Sequence, residues 1–366
     1  MNWNGRRVLL TGHTGFKGSW LSLWLQSRGA DLCGYSLEPP TTMNMFEDAR
    51  VAEGMRSVLG DPRDASLLQR TFTEFRPEIV LHLAAQASVR KSYEDPQDTY
   101  STNVMGTVNL LEAVRRTGSV QAVVVITSDK CYLNHEWAWP YRETDPLGGY
   151  DPYSNSKACA ELVVAAYRDS FFNPKEYRRH GVAIASVRAG NVIGGGDWEA
   201  SRIVPDAMRA FMSHVPLRVR NPRAIRPWQH VLEPLRGYLT LAEALCEQTA
   251  ATGEAWNFGP EQSDAQPVEW VVREMAALWG EGARWETDER ARPHEANHLT
   301  LDSSKASGRL GWHPELRLKD ALAMTVAWYQ AKMRGHDMRP FTHAQIANYE
   351  AKVQSRMSIR AGGVHA

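Results

Sequence analysis

A tyrosine and a lysine stand four positions apart in a segment with helical character, residues 153–169. At this spacing Tyr153 and Lys157 share one face of the predicted helix. A lysine ammonium beside a phenol stabilises the phenolate, so we expect Lys157 to lower the pKa of Tyr153. The pair is typical of proton transfer, although the same spacing also arises by chance on exposed helices. Its weight therefore depends on the elements that surround it.

A second reactive set follows the β-branched run at residues 122–127, which predicts a strand. Ser128, Asp129 and Lys130 come directly after it. Ligands of doubly wound sheets bind beyond the carboxyl ends of the strands, so we expect these side chains to face the same cleft as Tyr153. An acid beside an amine is suited to proton transfer. The alternative is a surface ion pair at the end of a strand.

A glycine-rich turn opens the chain's first helix, after a short apolar strand at residues 6–10. Its spacing, GxxGxxG, allows a tight turn at Gly12, close approach of a pyrophosphate at Gly15 and close helix packing at Gly18. The turn predicts a dinucleotide site, and the alternative is a purely structural turn. The candidate cofactor contacts here are Gly12, Thr14, Gly15, Phe16, Lys17 and Gly18.

The rest of the predicted cofactor site is less regular. The second strand lacks the terminal acid that would bind an adenosine ribose, and Ser36 offers a hydroxyl instead. No arginine there invites a 2′-phosphate. Asp61 is a candidate for adenine, or a loop-capping aspartate. Small residues after the fourth strand would let a cofactor lie close to the backbone, and Asn103 would order the next helix. Further candidate contacts are Leu83, Ala84, Ala85, Asn103 and Thr127, with Tyr153 and Lys157.

Strands and helices alternate along the first half of the chain. Strands are predicted at 6–10, 30–35, 57–60, 79–84, 122–127 and 182–188, and helices at 20–27, 99–116 and 153–169. This alternation predicts an α/β fold with a doubly wound parallel sheet, the Rossmann arrangement, and a smaller mixed domain after it.

The second half follows a different pattern. Helices are predicted at 202–213, 235–246, 268–279 and 319–329, a late strand at 254–258, and a polar arm or partly disordered tail from about 335. We expect a cofactor domain over 1–190 with a returning segment near 228–258. A substrate domain is expected over 191–227 and 259–340, followed by a C-terminal arm over 341–366.

Composition narrows the class of partner. The 366 residues include 42 basic and 42 acidic side chains, which argues against nucleic acid or an anionic membrane as the main partner. The four cysteines form no CxxC pair, so neither a zinc site nor a disulfide framework is expected. We predict no metal. The N-terminus lacks a signal sequence and no apolar run approaches a membrane span, which predicts a cytoplasmic protein.

With these residues in place, the sequence resembles the extended short-chain dehydrogenase/reductase superfamily over nearly its whole length. Within it, the chain is similar to sugar-nucleotide 4,6-dehydratases, and most to the branch that acts on CDP-glucose. Related dTDP-glucose enzymes typically carry Thr-Asp-Glu where this chain has Ser128-Asp129-Lys130. The segments that carry the resemblance are TGHTGFKGSWL at 11–21, LAAQ at 83–86, TSDKCY at 127–132, DPYSNSKACAE at 151–161, RAGNVIGGGDW at 188–198 and RPWQHVLEPLRGYL at 226–239.

The resemblance implies a carbon–oxygen lyase with tightly held, recycled NAD. Tyr153 would take the proton of the sugar 4-hydroxyl as hydride leaves C4, while Ser128 bonds the 4-oxygen. Lys130 would remove the C5 proton, which requires a neutral amine and hence a lowered pKa. Asp129 would protonate the departing 6-hydroxyl before hydride returns to C6. Lys157 would hold the nicotinamide ribose.

The nucleotide of the substrate is expected to bind the second domain. Arginines suit a diphosphate because their guanidinium groups donate forked hydrogen bonds. Among them we favour Arg226, and we expect Arg218 and Arg223 to be solvated charges. The candidate substrate contacts are Gln86, Ser88, Asn191, Arg202, Arg220, Arg226 and Arg292.

Other interpretations stay open at this point. A nucleotide-sugar 4-epimerase would use Tyr153, Lys157 and NAD but would not need the Asp129–Lys130 pair. A non-catalytic scaffold would not need Tyr153 and Lys157 intact. A dehydratase for a dTDP-, GDP- or UDP-sugar is opposed by the resemblance alone. The resemblance also implies a homodimer or homotetramer built from the helices at 99–117 and 151–170. It implies a role in making a deoxysugar for a surface polysaccharide such as lipopolysaccharide, or for a secondary metabolite.

Overall fold

The structure is a computed structural model that describes residues 1–248, 252–288 and 298–362. The strands in these ranges are β1 (Arg7–Thr11), β2 (Asp31–Ser36), β3 (Arg56–Leu59), β4 (Ile79–His82), β5 (Ala122–Ile126), β6 (Ala183–Arg188), β7 (Val192–Ile193), β8 (Leu217–Val219), β9 (Ile225–Pro227), β10 (Gln229–His230), β11 (Ala255–Asn257), β12 (Ala265–Pro267) and β13 (Trp285–Thr287). Seven of them form one sheet in the order β11-β6-β5-β4-β1-β2-β3. All neighbours in this sheet are parallel.

Helices cover both faces of this sheet. The helices of the described residues are α1 (Phe16–Ser27), α2 (Met45–Asp48), α3 (Ala65–Phe75), α4 (Val89–Glu94), α5 (Pro96–Tyr100), α6 (Gly106–Arg115), α7 (Pro152–Ser170), α8 (Tyr177–His180), α9 (Ile203–Met212), α10 (Leu232–Gln248), α11 (Val268–Trp279), α12 (Ser304–Leu310), α13 (Leu318–Met333) and α14 (Met338–Gly362). Each parallel strand is followed by a helical crossover, as such sheets require.

The apolar runs of the strands explain why both faces are covered. Successive residues of a strand point to opposite faces. Val80 and Val123 therefore pack with α3, α6 and α7, whereas Leu81 and Val124 pack with α1 and α10. The doubly wound α/β fold predicted from the sequence is confirmed, and its six predicted strands all occur with ends shifted by one or two residues.

The predicted helix over 99–116 is divided in the structure. It consists of α5, a π-helical turn over Ser101–Met105 and α6. The wider turn holds Asn103, whose buried amide donates to the backbone oxygen of Gln86 and to the hydroxyl of Ser156. Periodicity alone does not distinguish a π turn from the α-helix on either side of it.

The chain returns to the large sheet after its first residues of the predicted second domain, through α10 and β11. The helix predicted at 235–246 lies within α10, which packs on β5 and β6. The late strand predicted at 254–258 contains β11, which pairs with β6 at the edge of the sheet. The boundaries of the two domains stay a prediction.

The second lobe is built from small sheets and helices. β8 pairs with β13, β9 with β12, and β7 with β10. α9, α11 and α13 pack beside them, and these match the helices predicted at 202–213, 268–279 and 319–329 to within a few residues. Among the described helices none is both long and apolar enough to span a membrane.

The prediction of a polar arm from about residue 335 is wrong for most of these residues. Residues Met338–Gly362 form the helix α14, which packs against α1 and α13. Its inward positions include Thr342, Ile346 and Tyr349, all buried. They follow a helical spacing, but polar residues among them weaken the apolar periodicity that the sequence shows.

Candidate functional site

The glycine-rich turn lies between β1 and α1, as the sequence predicts. Gly12 has a φ of +76°, and a Cβ at this position would lie 2.7 Å from the backbone nitrogen of Ala84. A Cβ at Gly18 would lie 2.0 Å from the carbonyl oxygen of Gly12. Only glycine fits either place, so the backbone of the turn stays open beside the N-terminus of α1. This is the cradle that a dinucleotide pyrophosphate requires.

The adenosine side of the cradle is lined by hydroxyl groups. The Thr14 hydroxyl lies 2.8 Å from that of Ser36 at the end of β2, and it donates to the carbonyl oxygen of Leu37 at 2.8 Å. Asp61, predicted to contact adenine, accepts hydrogen bonds from Arg63, which lines the cleft. The contact of Asp61 with adenine stays a prediction.

A large cleft of about 1880 Å³ runs along the carboxyl ends of the sheet strands. Most predicted cofactor and catalytic residues line it, because their segments each follow a strand. Asn103 is buried behind the cleft, where it joins the loop after β4 to α7. The predicted residues that line the cleft are Gly12, Thr14, Gly15, Phe16, Lys17, Gly18, Ser36, Leu83, Ala84, Ala85, Thr127, Ser128, Asp129, Lys130, Tyr153 and Lys157.

The Tyr153–Lys157 pair lies on the first turns of α7. The helix begins at Pro152, and the side chain of Asp151 caps it by accepting from the backbone nitrogen of Ser154 at 3.0 Å. Tyr153 and Lys157 are both buried. The Lys157 ammonium donates to the carbonyl oxygen of Ile126, 3.3 Å away at the end of β5. The cap and this bond fix the pair at the floor of the cleft.

The Ser128–Asp129–Lys130 segment forms a short 3-10 turn after β5. The Ser128 hydroxyl donates to Asp129 Oδ1 at 2.9 Å. Asp129 is buried, and its Oδ2 has no hydrogen-bond partner within the described part of the chain. Lys130 is half-buried and lines the cleft. An unpaired buried carboxylate oxygen is costly, which is typical of a group that awaits a ligand.

Gly190, on the loop after β6, makes room for this carboxylate. A Cβ at Gly190 would lie 1.7 Å from Asp129 Oδ2, so no other residue fits here without displacing Asp129. Gly190 lies within the segment RAGNVIGGGDW but is not among the residues predicted for the site. Its signal was its place directly after a buried strand.

Burial dominates the protonation of the catalytic pair. It raises the pKa of Tyr153 to about 12, and a hydrogen bond with Ser128 opposes this only partly. The pKa of Tyr153 therefore lies above its ordinary value, and the expected lowering of this pKa by Lys157 stays a prediction. Burial also lowers the pKa of Lys157 to about 8, and the nearby Lys17 ammonium adds to that effect. The phenol is protonated at neutral pH and the lysine is charged.

Deeper on α7, a buried ion pair stands behind the catalytic residues. Glu161 accepts from Arg188 at 2.8 Å and from the Ser186 hydroxyl at 2.6 Å. Burial alone would raise the pKa of Glu161, but Arg188 and these hydrogen bonds lower it below its usual value. The Arg188 guanidinium also stacks on the ring of Tyr132. Sequence reasoning missed this pair because the two residues lie on different elements.

The predicted substrate residues are divided between the two lobes. Gln86 and Ser88 line the cleft, but the Gln86 amide donates to Thr99 and to the Ser88 carbonyl oxygen. Asn191 lines it with a φ of +44°. Their positions fit contact with a ligand, although Gln86 already has partners inside the protein.

Several of the arginines considered for the substrate line the cleft. Arg202 pairs with Asp197 at 3.0 Å, and Arg220 donates to the Ser201 carbonyl oxygen at 2.8 Å. Arg226 is buried and lines the cleft. Arg223 is exposed. Arg218 is paired with Glu286 at the surface, although it also reaches the cleft, and Arg292 lies outside the described residues.

Comparison with known proteins identifies the family. The family model of GDP-mannose 4,6 dehydratase matches residues 9–325. The CDP-glucose 4,6-dehydratase of Salmonella typhimurium strain LT2 is 56% identical over 347 residues, which are 95% of this chain and 97% of the relative.

Solved structures agree with this assignment. The UDP-glucose 4-epimerase of Brucella ovis in complex with NAD superposes with a TM-score of 0.74 at 26% identity, over 88% of this chain and 97% of that one. The UDP-glucose 4-epimerase of Thermus thermophilus in complex with NAD gives a TM-score of 0.75 at 25% identity, over 88% and 99% of the two chains. The fold, the glycine cradle and these similarities agree: the chain belongs to the NAD-dependent sugar-nucleotide 4,6-dehydratases of the extended short-chain dehydrogenase/reductase family.

Proposed function

We propose that this chain converts CDP-D-glucose to CDP-4-keto-6-deoxy-D-glucose and water. The observation that carries the proposal is the 56% identity to a CDP-glucose 4,6-dehydratase over 95% of this chain. The acid–amine pair Asp129–Lys130 in the cleft beside Tyr153 supports it, because a dehydratase needs proton-transfer groups that an epimerase does not. A 4-epimerase is the second candidate, since the folds superpose.

The proposed chemistry begins at the phenol of Tyr153. NAD, held by the glycine-rich turn and Lys157, would supply the acceptor for the C4 hydride and the donor that returns it to C6. In the protein without ligands Tyr153 is a phenol, so its own proton must first pass to the solvent. As the phenolate, Tyr153 then accepts the proton of the 4-hydroxyl, and Ser128 bonds the same oxygen. Lys157 is charged below pH 8 and favours the phenolate as it forms.

The elimination falls to the turn after β5. Lys130 takes the C5 proton, which the 4-ketone has made acidic. Asp129, when protonated, gives a proton to the departing 6-hydroxyl. Lys130 and Asp129 both line the cleft beside Tyr153, where one sugar ring can bind.

We further propose that the second lobe binds the CDP diphosphate. Arg202, Arg220 and Arg226 line the same cleft as the glycine cradle. One guanidinium group can donate two parallel hydrogen bonds to the oxygens of a phosphate. Gln86, Ser88 and Asn191 are proposed to position the sugar between the two sites.

The test is a panel of CDP-, dTDP-, GDP- and UDP-glucose supplied without added NAD, with products read by NMR in D₂O. We expect a 4-keto-6-deoxy product from CDP-glucose, with one deuteron at C5. The Lys130→Met variant should lose the product and Lys175→Met, at an exposed site, should not. A 4-epimer as the product would contradict the proposal, as would a preference for another nucleotide.

Assembly and location complete the proposal. A shallow apolar groove is lined by Pro96, Tyr100 and Met105 of α5 and the π turn, and by Cys159 of α7. We propose that this face joins two copies into a homodimer, with a tetramer as the alternative. Light scattering of Met105→Lys should then show monomers, and a wild-type monomer would contradict it.

The four free cysteines suit a reducing cytoplasm.

A further inference from the structure

Lys17 is a half-buried cation for which the proposed chemistry has no use. It lies on the first turn of α1, directly after the glycine cradle, and its side chain lines the cleft. Its ammonium donates to the Tyr238 hydroxyl at 3.4 Å and lies 5.8 Å from the centre of that ring. Tyr238 is fully buried on α10. The contact directs Lys17 away from the solvent and into the floor of the cleft.

Lys17 lines the same cleft as Lys157 and Asp129. Burial lowers the pKa of Lys17 to about 8, Arg202 adds to that effect, and Asp129 opposes it. Lys17 in turn lowers the pKa of Lys157. The Lys17 ammonium therefore acts electrostatically on the groups of this cleft.

The nicotinamide must lie in the same region. The pyrophosphate of NAD belongs on the cradle, and hydride transfer requires the ring to reach a sugar carbon whose hydroxyl meets Tyr153. The ring would therefore lie between the cradle and Tyr153. Lys17 follows the cradle directly, and its side chain lines the same cleft as Tyr153 and Lys157.

A fixed positive charge acts differently on the two forms of the ring. Oxidised nicotinamide is a cation and reduced nicotinamide is neutral. In the first step the sugar carbon loses a hydride to the ring and the hydroxyl loses its proton to Tyr153, so the sugar is oxidised and the cofactor reduced. We propose that the Lys17 ammonium favours the reduced cofactor and thereby assists this oxidation. The inference deepens the proposed function but concerns the cofactor, whose use the family establishes.

The test measures how the protein partitions the two forms of the cofactor. The holoenzyme is exchanged to equilibrium with known mixtures of NAD⁺ and NADH, and the bound ratio is compared with the free ratio. In Lys17→Met, which keeps the length of the side chain and removes its charge, we expect the preference for NADH to fall about tenfold. A tenfold change corresponds to about 30 mV for a two-electron couple.

Two further variants separate charge from packing. Lys17→Arg keeps the charge and should keep the partition within about twofold of the wild type. Lys175→Met removes an exposed lysine and should leave it unchanged. An unchanged partition in Lys17→Met would overturn the inference, as would an equal loss in the Met and Arg variants. No sugar nucleotide is present in this assay, so failure of the CDP-glucose proposal would not affect its result.

Discussion

The helix α7 carries two buried polar groups that differ in how completely they are paired. At its start, Tyr153 and Lys157 face a cleft beside Asp129, one of whose oxygens has no partner among the described residues. Two turns along, Glu161 is closed off by Arg188, Ser186 and Thr127. One helix thus holds a site ready for a ligand and a site that is already satisfied.

The difference shows how burial serves chemistry in one place and stability in the other. At the start of α7, burial moves the pKa values of Tyr153 and Lys157 away from their ordinary ranges. At Glu161, the charged partner outweighs burial and keeps the carboxylate ionised. Substitutions on the two sides should therefore separate activity from stability.

The largest effect is expected at the phenol. Tyr153→Phe removes the group that exchanges a proton with the sugar, so kcat should fall about 10³-fold, the usual scale for a lost general base. The free energy of unfolding should change by less than about 1 kcal/mol, because the ring and its packing remain. Steady-state kinetics and urea unfolding measure the two quantities. Tyr167→Phe, farther along α7, is the control that should keep kcat.

The opposite result is expected at the satisfied pair. Glu161→Gln leaves the Arg188 charge buried without its counter-ion, which should cost about 3–5 kcal/mol of unfolding free energy. The folded fraction should keep its specific activity within about threefold. Urea unfolding of the variant provides the test, and a loss below 1 kcal/mol would contradict the comparison.

The Glu161–Arg188 pair also makes the free energy of unfolding depend on pH, and the direction follows from the lowered pKa of Glu161. Pairing lowers the pKa of Glu161 below its ordinary value of 4.5, so the stabilisation is complete above that pH. It is lost as the pH falls through the lowered, folded-state pKa. Wild type and Glu161→Gln should therefore differ most near neutrality and converge in acid.

A smaller effect is expected from the glycine behind Asp129. Gly190→Ala would place a methyl group on the buried carboxylate oxygen of Asp129, because the Cβ and Oδ2 would be 1.7 Å apart. Displacing a reacting group by about 1 Å costs about 10²-fold in rate. We expect kcat to fall because the release of water becomes slower. The oxidation at C4 should be less affected than this step. Equal kcat in wild type and variant would remove Asp129 from its proposed role.

The smallest effect concerns the alkaline limb of the pH–rate profile. Lys157 has a pKa of about 8, so it loses its charge as the pH rises through that value and kcat should decline there. Lys17→Met removes a like charge that depresses this pKa, and the limb should move to higher pH by less than about one unit. Lys17→Arg keeps the charge and should keep the limb in place.

The sequence predicted the fold well because its signals are local. Buried parallel strands appear as continuous β-branched runs, and the first glycine turn follows one of them directly. The α14 helix escaped detection because Thr342 lies in its buried stripe, whose contrast between apolar and polar residues is weak. The π turn around Asn103 escaped because it depends on a contact with the loop after β4.

The sequence predicted which residues line the cleft, but it did not predict their pKa values. The positions of Tyr153, Asp129 and Lys130 in the cleft follow from strand ends and helical spacing. The raised pKa of Tyr153 and the influence of Lys17 do not, since both depend on how α1 and α10 close over the cleft. Long-range packing decides these values, and a single sequence carries no local signal for it.

The contact between α14 and α1 links the end of the chain to the cofactor cradle. Trp24 on α1 donates to Glu350 at 2.7 Å, and its ring meets that of Tyr349 edge to face. α14 follows every other described helix, so the ribosome makes it after them. Until then, the tryptophan face of the cofactor helix is uncovered. A nascent or prematurely terminated chain would expose that face to chaperones and proteases. The helix that follows the cradle is therefore covered only after α14 has been translated.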